Sequence, residues 1–186
     1  MGGGEHTDNR PPKTDRSLIT RMTILDNNSS GVCEDCGAVV SEGRAGCLKI
    51  FEEIIEREFS DYRYGRDHRL TVDAYALQHP DKYMRSGKSF AAHLTGMRAA
   101  LEDEDAPALN RLVQKWLSTN PRIDKPARIP ERRGSLTVMY VRAAADADEH
   151  VKRVREWARD VWGAWADHHA LARRLIDEAT SRIKKS

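Results

Sequence analysis

The sequence predicts an all-α protein, an antiparallel helical bundle of about five helices with a small cysteine-containing knuckle on its N-terminal side. Apolar side chains recur in steps of three and four over several segments, which is the spacing of one helix face. The composition, with 39% hydrophobic and 32% charged residues, suits a helix-rich protein with a strongly solvated surface.

The first 30 residues differ from the rest of the chain in their capacity to fold. Residues 1–30 contain GGG, PP and NNSS and few large apolar side chains, so we expect a disordered N-terminal tail. Residues 31–186 are long enough to bury one core, and we expect a single helical domain there.

Charge and hydropathy exclude several classes of protein. The net charge is only +2, so there is no general electrostatic reason to expect binding to nucleic acid or to an anionic membrane. The sequence contains no run of 18 apolar residues and no signal-peptide pattern. We therefore expect a cytoplasmic protein without a membrane partner.

Three cysteines form the most informative pattern. Cys33 and Cys36, in the sequence CEDCG, have the spacing with which two thiolates hold one zinc ion, and Gly37 permits the tight turn. Cys47 opens a helix predicted over residues 47–59. A thioredoxin-type redox pair needs a βαβ context that is missing here, and plain buried cysteines would not explain CxxCG. We predict a Zn²⁺ site with these three cysteines as ligands.

The fourth ligand is predicted from helix order. A short connection follows the helix 47–59, so the next helix, predicted over residues 70–79, should run antiparallel to it. This arrangement places His79 near Cys47. The competing interpretation is that His79 only caps its helix before Pro80, where a cation is favoured.

A second histidine, His93, competes for the same position. A third helix is predicted over residues 90–102 with Ser89 as its cap, and its beginning should lie at the same end of the bundle. We take His79 as the predicted ligand and keep His93 as the alternative.

Two further residues of this region have less specific roles. His68 would lie roughly 16 Å from His79 on a continuous helix, so the two cannot bind one ion, and a structural role is predicted for His68. Asp73 is a candidate to orient a histidine as an acceptor, and it can equally bond an arginine or a backbone group.

The second half of the chain contains a basic loop between helices. A short amphipathic helix is predicted over residues 106–117. Residues 121–133 form a proline-rich basic loop, which could contact the phosphates of a nucleic acid but lacks interleaved aromatic residues, so a solvated connector is favoured. Residues 135–141 are predicted to be extended.

One long final helix is predicted over residues 148–183. Its apolar seam contains His168, and a histidine there is more often a hydrogen-bonded core residue than a ligand. It is nevertheless the strongest candidate for active-site chemistry, together with His93 and Asp73.

Together, CxxCG, HRLTVDAYALQHP, SFAAHL and WARDVWGAWADHH resemble a family of small bacterial proteins known only as a domain of unknown function. The resemblance spans roughly residues 33–176 and is most specific at VDAYALQHP. It supports the positions of the three cysteines, His79, His93 and His168 and implies no activity.

Two function classes remain. In the first, a structural zinc ion supports a binding or regulatory module for an unidentified protein partner or small molecule. In the second, a metal-dependent enzyme uses a pocket lined by His93 and His168. The P-loop, GxGxxG, GxSxG, HExxH and zinc-deaminase motifs are absent. We favour the first class because three thiolates make a bound zinc ion a poor Lewis acid.

Overall fold

The computed structural model describes residues 1, 31–103 and 105–183. The predicted tail therefore lies outside the described residues, except for Met1. The described chain contains eight α-helices, which are α1 (Gly43–Ser60), α2 (His68–Gln78), α3 (Pro80–Tyr83), α4 (Gly87–Glu102), α5 (Ala106–Ser118), α6 (Val138–Arg142), α7 (Ala147–Ala164) and α8 (His169–Ile183). No strand occurs among these residues, and the all-α class is confirmed.

The antiparallel hairpin of α1 and α2 is confirmed. Phe51 of α1 stacks on Tyr75 of α2 with ring centroids 3.8 Å apart and planes 8° apart. Cys47 lies one turn before Phe51 and His79 one turn after Tyr75, so this stack brings their side chains to the same end. His68 lies at the opposite end, where its Nδ1 is 2.7 Å from Glu58 Oε2.

The predicted Ser89 cap was wrong. Helix α4 begins at Gly87, and the Ser86 hydroxyl caps it by accepting a hydrogen bond from the Ser89 N–H. The preceding segment, α3, adds one turn that begins with Pro80 at the position where its missing N–H costs nothing.

The single helix predicted over residues 148–183 was wrong as well. The chain leaves the α-helical path at Trp165, makes a 3-10 turn over Ala166–His168 and resumes as α8. His169 stabilises this break, since its Nε2–H donates to the Trp162 carbonyl at 2.9 Å and its ring stacks on Trp162 at 3.8 Å. The apolar spacing continues through the break, so periodicity alone cannot reveal it.

The segment predicted to be extended over residues 135–141 is partly helical. Its second half forms α6, which begins after Thr137, whose hydroxyl accepts from the Met139 N–H. The side-chain cap satisfies a terminal N–H and favours a helical turn over a strand.

Helix α2 lies at the centre of the molecule. It packs against α1, α4 and α7, and Ala74 and Leu77 on it have no exposed surface. Trp157 and Trp165 are also completely buried in this core. A second apolar cluster joins α4, α5 and α8 around Trp116 and Leu175. The described part of the chain contains no helix with the length and apolar character needed to cross a membrane.

A buried carboxylate ties α1 to α2 and α7. The side chain of Glu58, only 1% exposed, accepts hydrogen bonds from Thr71 Oγ1 at 2.5 Å, His68 Nδ1 at 2.7 Å and His150 Nε2 at 3.0 Å. His68 thus has the structural role that the sequence predicted.

We expect Glu58→Gln to lower the free energy of unfolding by about 2–4 kcal/mol, because the amide NH₂ must face one of these donors in a buried site. Urea unfolding monitored by circular dichroism measures the change. Glu56→Gln, at an exposed position of the same helix, is the control. Equal stability of the two variants would contradict the structural role of Glu58.

Candidate metal centre

The CxxC segment forms a tight knuckle before α1. An isolated antiparallel bridge pairs Val32 with Val39, and the Gly37 N–H donates to the Cys33 carbonyl at 2.8 Å. Gly37 has φ 76°, a left-handed conformation that glycine adopts without a steric penalty. The turn therefore folds the Cys33 and Cys36 side chains toward the hairpin of α1 and α2.

Four side chains meet where the knuckle joins the hairpin. One ligand atom each from Cys33, Cys36, Cys47 and His79 lies within 4.8 Å of the other three. Cys33, Cys47 and His79 are buried and Cys36 is half-buried. This cluster can hold a metal ion.

Three of the six distances between the ligand atoms match the edges of a tetrahedral zinc site, and all six are at most 4.8 Å. Zn–S bonds of about 2.3 Å and Zn–N bonds of about 2.0–2.1 Å give S···S edges of about 3.8 Å and S···N edges of about 3.5–3.6 Å. Cys36 Sγ lies 3.7 Å from Cys47 Sγ. His79 Nε2 lies 3.6 Å from Cys33 Sγ and 3.5 Å from Cys47 Sγ. The 3.7 Å between Cys36 Sγ and Cys47 Sγ is far longer than a disulfide bond, and all three cysteines are free thiols.

A backbone carbonyl fixes the tautomer of His79. Nδ1 lies 2.7 Å from the Tyr75 carbonyl oxygen, which can only accept, so Nδ1 carries the proton and donates. The lone pair of neutral His79 is then on Nε2, the nitrogen that faces the sulfur atoms. Metal-bound histidines commonly have such a carbonyl partner. The backbone of His79 also ends α2, so the predicted helix-cap role and the ligand position coexist.

The thiols constrain one another's ionisation when no cation is shared among them. Hydrogen bonds from Cys36 and Cys47 hold the pKa of Cys33 well below its usual range. The Cys33 sulfur raises the pKa of Cys36 to about 12 and raises the pKa of Cys47 further. The protein groups alone thus favour one negative charge in the cluster, and three thiolates require a cation.

A model of the family of unknown function DUF5946 matches residues 31–166. The chain belongs to this family. No curated protein and no solved structure matches the chain. The match to DUF5946 confirms the resemblance seen in the sequence and contains all four clustered residues, whereas His168 lies beyond its end.

His93 does not belong to the cluster. Its Nδ1 donates to Asp73 Oδ1 at 2.9 Å, and Asp73 Oδ2 accepts from Arg69 Nε at 2.6 Å. The prediction that His93 lies near Cys47 rested on the assumption that the third helix begins beside the end of α2. In the structure His93 lies opposite the middle of α2, so Asp73 orients a histidine that is not one of the four clustered residues.

His168 lies in the 3-10 turn between α7 and α8. Its ring makes edge contacts with Phe90 and Trp165, whose centroids lie 5.9 Å and 5.0 Å away. It lines a groove formed by the basic loop and α8, and His93 does not line this groove. This groove therefore does not unite the two histidines that the enzyme interpretation places in one pocket.

The sequence did not reveal the residues that attach the basic loop to the cluster. Arg133 Nη1 donates to the Asp35 carbonyl of the knuckle at 2.6 Å. Gln78, the residue before His79, donates from Nε2 to the Arg133 and Leu136 carbonyls at 3.0 Å and 2.8 Å. The only signal in the sequence was a glutamine in an otherwise apolar helix face, which does not identify its partners.

We expect the wild type to be more stable to unfolding than the His168→Gln variant at pH 7.5, and this difference in stability to become smaller as the pH is lowered to 5.5. Burial lowers the pKa of His168, against the opposing effect of the Arg128 backbone and Asp167. The folded state therefore disfavours the imidazolium, and stability is lost as the pH falls through the unfolded-state value of about 6.5.

Thermal unfolding of both proteins at the two pH values measures this difference. Both carry the same cysteine cluster, so its pH dependence cancels in the comparison. An advantage that stays constant or grows toward acid pH would contradict the neutral, packed state of His168.

Proposed function

We propose that Cys33, Cys36, Cys47 and His79 hold one structural Zn²⁺ ion and that the protein is a zinc-supported binding module. The observation that carries the proposal is the meeting of the four ligand atoms within 4.8 Å, with one S···S and two S···N distances equal to the edges of a zinc tetrahedron. Thiolate and imidazole ligands in tetrahedral geometry favour zinc over the hard cations, which prefer oxygen. Three free thiols also fit the reducing cytoplasm that we infer as the protein's location.

The ligand set supports a structural role for the ion. Four protein ligands fill a tetrahedral site and leave no position for water or substrate. Three thiolates and a neutral imidazole give the centre a net charge of about −1, which weakens zinc as a Lewis acid. The Nη1–H of Arg133 lies over the knuckle, where a cation suits this charge.

The centre would stabilise the fold by joining distant segments. The knuckle, the start of α1 and the end of α2 supply its ligands, and the cysteines are separated from His79 by at least 32 positions along the chain. Since Arg133 and Gln78 connect the same region to the basic loop, the ion would also hold that loop in place. We infer that the loop and α8 form the binding surface of the module.

We expect Cys36→Ser to lower zinc content and to destabilise the protein by several kcal/mol, because metal binding to such a site is coupled to folding. Elemental analysis of the purified protein and thermal unfolding measure the two effects. Glu34→Gln, at an exposed position in the same knuckle, is the control and should retain both zinc and stability.

Chelation gives the same test in the wild type. A zinc chelator should lower the unfolding temperature, and added Zn²⁺ should restore it. Unchanged zinc content in Cys36→Ser, or an unfolding temperature that the chelator does not alter, would contradict the structural centre.

A further inference from the structure

A groove of about 670 Å³ separates the basic loop from α8. One wall consists of residues 122–128 and Pro130, and the other contains His168, Leu171, Arg174 and Leu175. Its volume lies within the range of about 300–1,000 Å³ typical of sites for small molecules.

The loop wall is held in place although it has no regular secondary structure. A Cβ on Gly87 would lie 1.8 Å from the Ile123 carbonyl oxygen, so the loop packs directly on the backbone of α4. Farther along, Asp160 Oδ2 accepts from the N–H groups of Ser135 and Leu136 at 2.6 Å and 2.8 Å. Long loops without secondary structure are uncommon in compact domains and are often functional, and a fixed wall reduces the entropy cost of binding.

Positive charge comes from both walls. Arg122, Lys125 and Arg128 lie on the loop and Arg174 lies on α8, and within the described part of the chain none of their charged groups has an ion-pair or hydrogen-bond partner. The groove also contains three carboxylates, Asp124, Asp167 and Glu178. Glu178 pairs with Arg182 at 3.7 Å, so the residues that line the groove carry more unpaired cationic than anionic side chains.

The groove also offers apolar surface between these charges. Ile123, Leu171 and Leu175 line it together with two prolines. Among the described residues, the only aromatic ring that lines it is that of His168, so it lacks the row of aromatic side chains on which successive bases of a single-stranded nucleic acid stack. A ligand with one compact anionic head and an apolar body fits this distribution.

We propose that the groove binds a small organic phosphate monoester. The phosphate would lie between the loop arginines and Arg174, because its several acceptor oxygens can bond guanidinium groups from two walls at once. The apolar body would contact Ile123, Leu171 and Leu175. This site specifies the ligand class of the binding module proposed above and rests on that proposal.

Isothermal titration of the zinc-loaded full chain with phenyl phosphate at about 0.15 M salt tests the site, since this ionic strength screens weak surface attraction. We expect saturable binding of one phenyl phosphate per chain, and weaker binding of inorganic phosphate and of benzoate. The first lacks the apolar body and the second lacks the phosphate head.

Two charge reversals on α8 locate the binding site. Arg174→Glu should weaken phenyl phosphate binding by about tenfold or more, the effect of losing a charge-assisted hydrogen bond and adding repulsion. Arg173→Glu is the matched control, because Arg173 is an exposed neighbour that does not line the groove. The affinity of the Arg173→Glu variant for phenyl phosphate should stay within about twofold of that of the wild type.

Several results would overturn the proposal. The first two are the absence of saturable binding of phenyl phosphate and an equal loss of affinity in the Arg174→Glu and Arg173→Glu variants. The others are benzoate binding as tightly as phenyl phosphate, and a short single-stranded oligonucleotide that binds more tightly and displaces phenyl phosphate. Zinc content is measured in every sample. A chain with one zinc ion and no phosphate binding refutes the groove alone, whereas a folded chain without zinc refutes the structural centre.

Discussion

The stack of Phe51 on Tyr75 fixes the register of α1 against α2, and the cluster of three cysteines and His79 depends on that register. Each aromatic residue lies one helical turn from a clustered residue, Cys47 on α1 and His79 on α2. A shift of one residue along α2 would rotate its inward face by about 100° and turn His79 away from Cys47. The hydrogen bond from His79 Nδ1 to the Tyr75 carbonyl then fixes the direction of Nε2.

The cluster is connected to the rest of the molecule through backbone carbonyls. Arg133 donates a hydrogen bond to the Asp35 carbonyl of the knuckle. Gln78 donates to the carbonyls of Arg133 and Leu136 at the end of the loop, and its side-chain oxygen accepts from Trp157 Nε1 at 3.0 Å. A loop without secondary structure cannot pair all of its own backbone N–H and C=O groups, so these side chains supply the missing hydrogen-bond partners. The same bonds would transmit the stabilising effect of a bound ion to the groove beside α8.

The parts of the site that could be predicted are those determined by local spacing or by short connections. The CxxCG spacing places Cys33 and Cys36 on one turn, and the short link between α1 and α2 brings His79 to Cys47. His93 was misplaced because its position depends on where α4 begins and on how it packs along α2, which hydrophobic spacing does not encode. The break at Trp165 was missed for a related reason, since His169 stabilises it through the Trp162 carbonyl while the apolar pattern continues.

The most direct test of the central claim is X-ray absorption spectroscopy at the zinc edge of the purified protein, combined with its zinc stoichiometry. The account predicts one zinc ion per chain with three sulfur ligands at about 2.3 Å and one nitrogen ligand at about 2.0 Å. A sample without zinc, or a zinc ion with oxygen ligands in place of one or more of these, would contradict it.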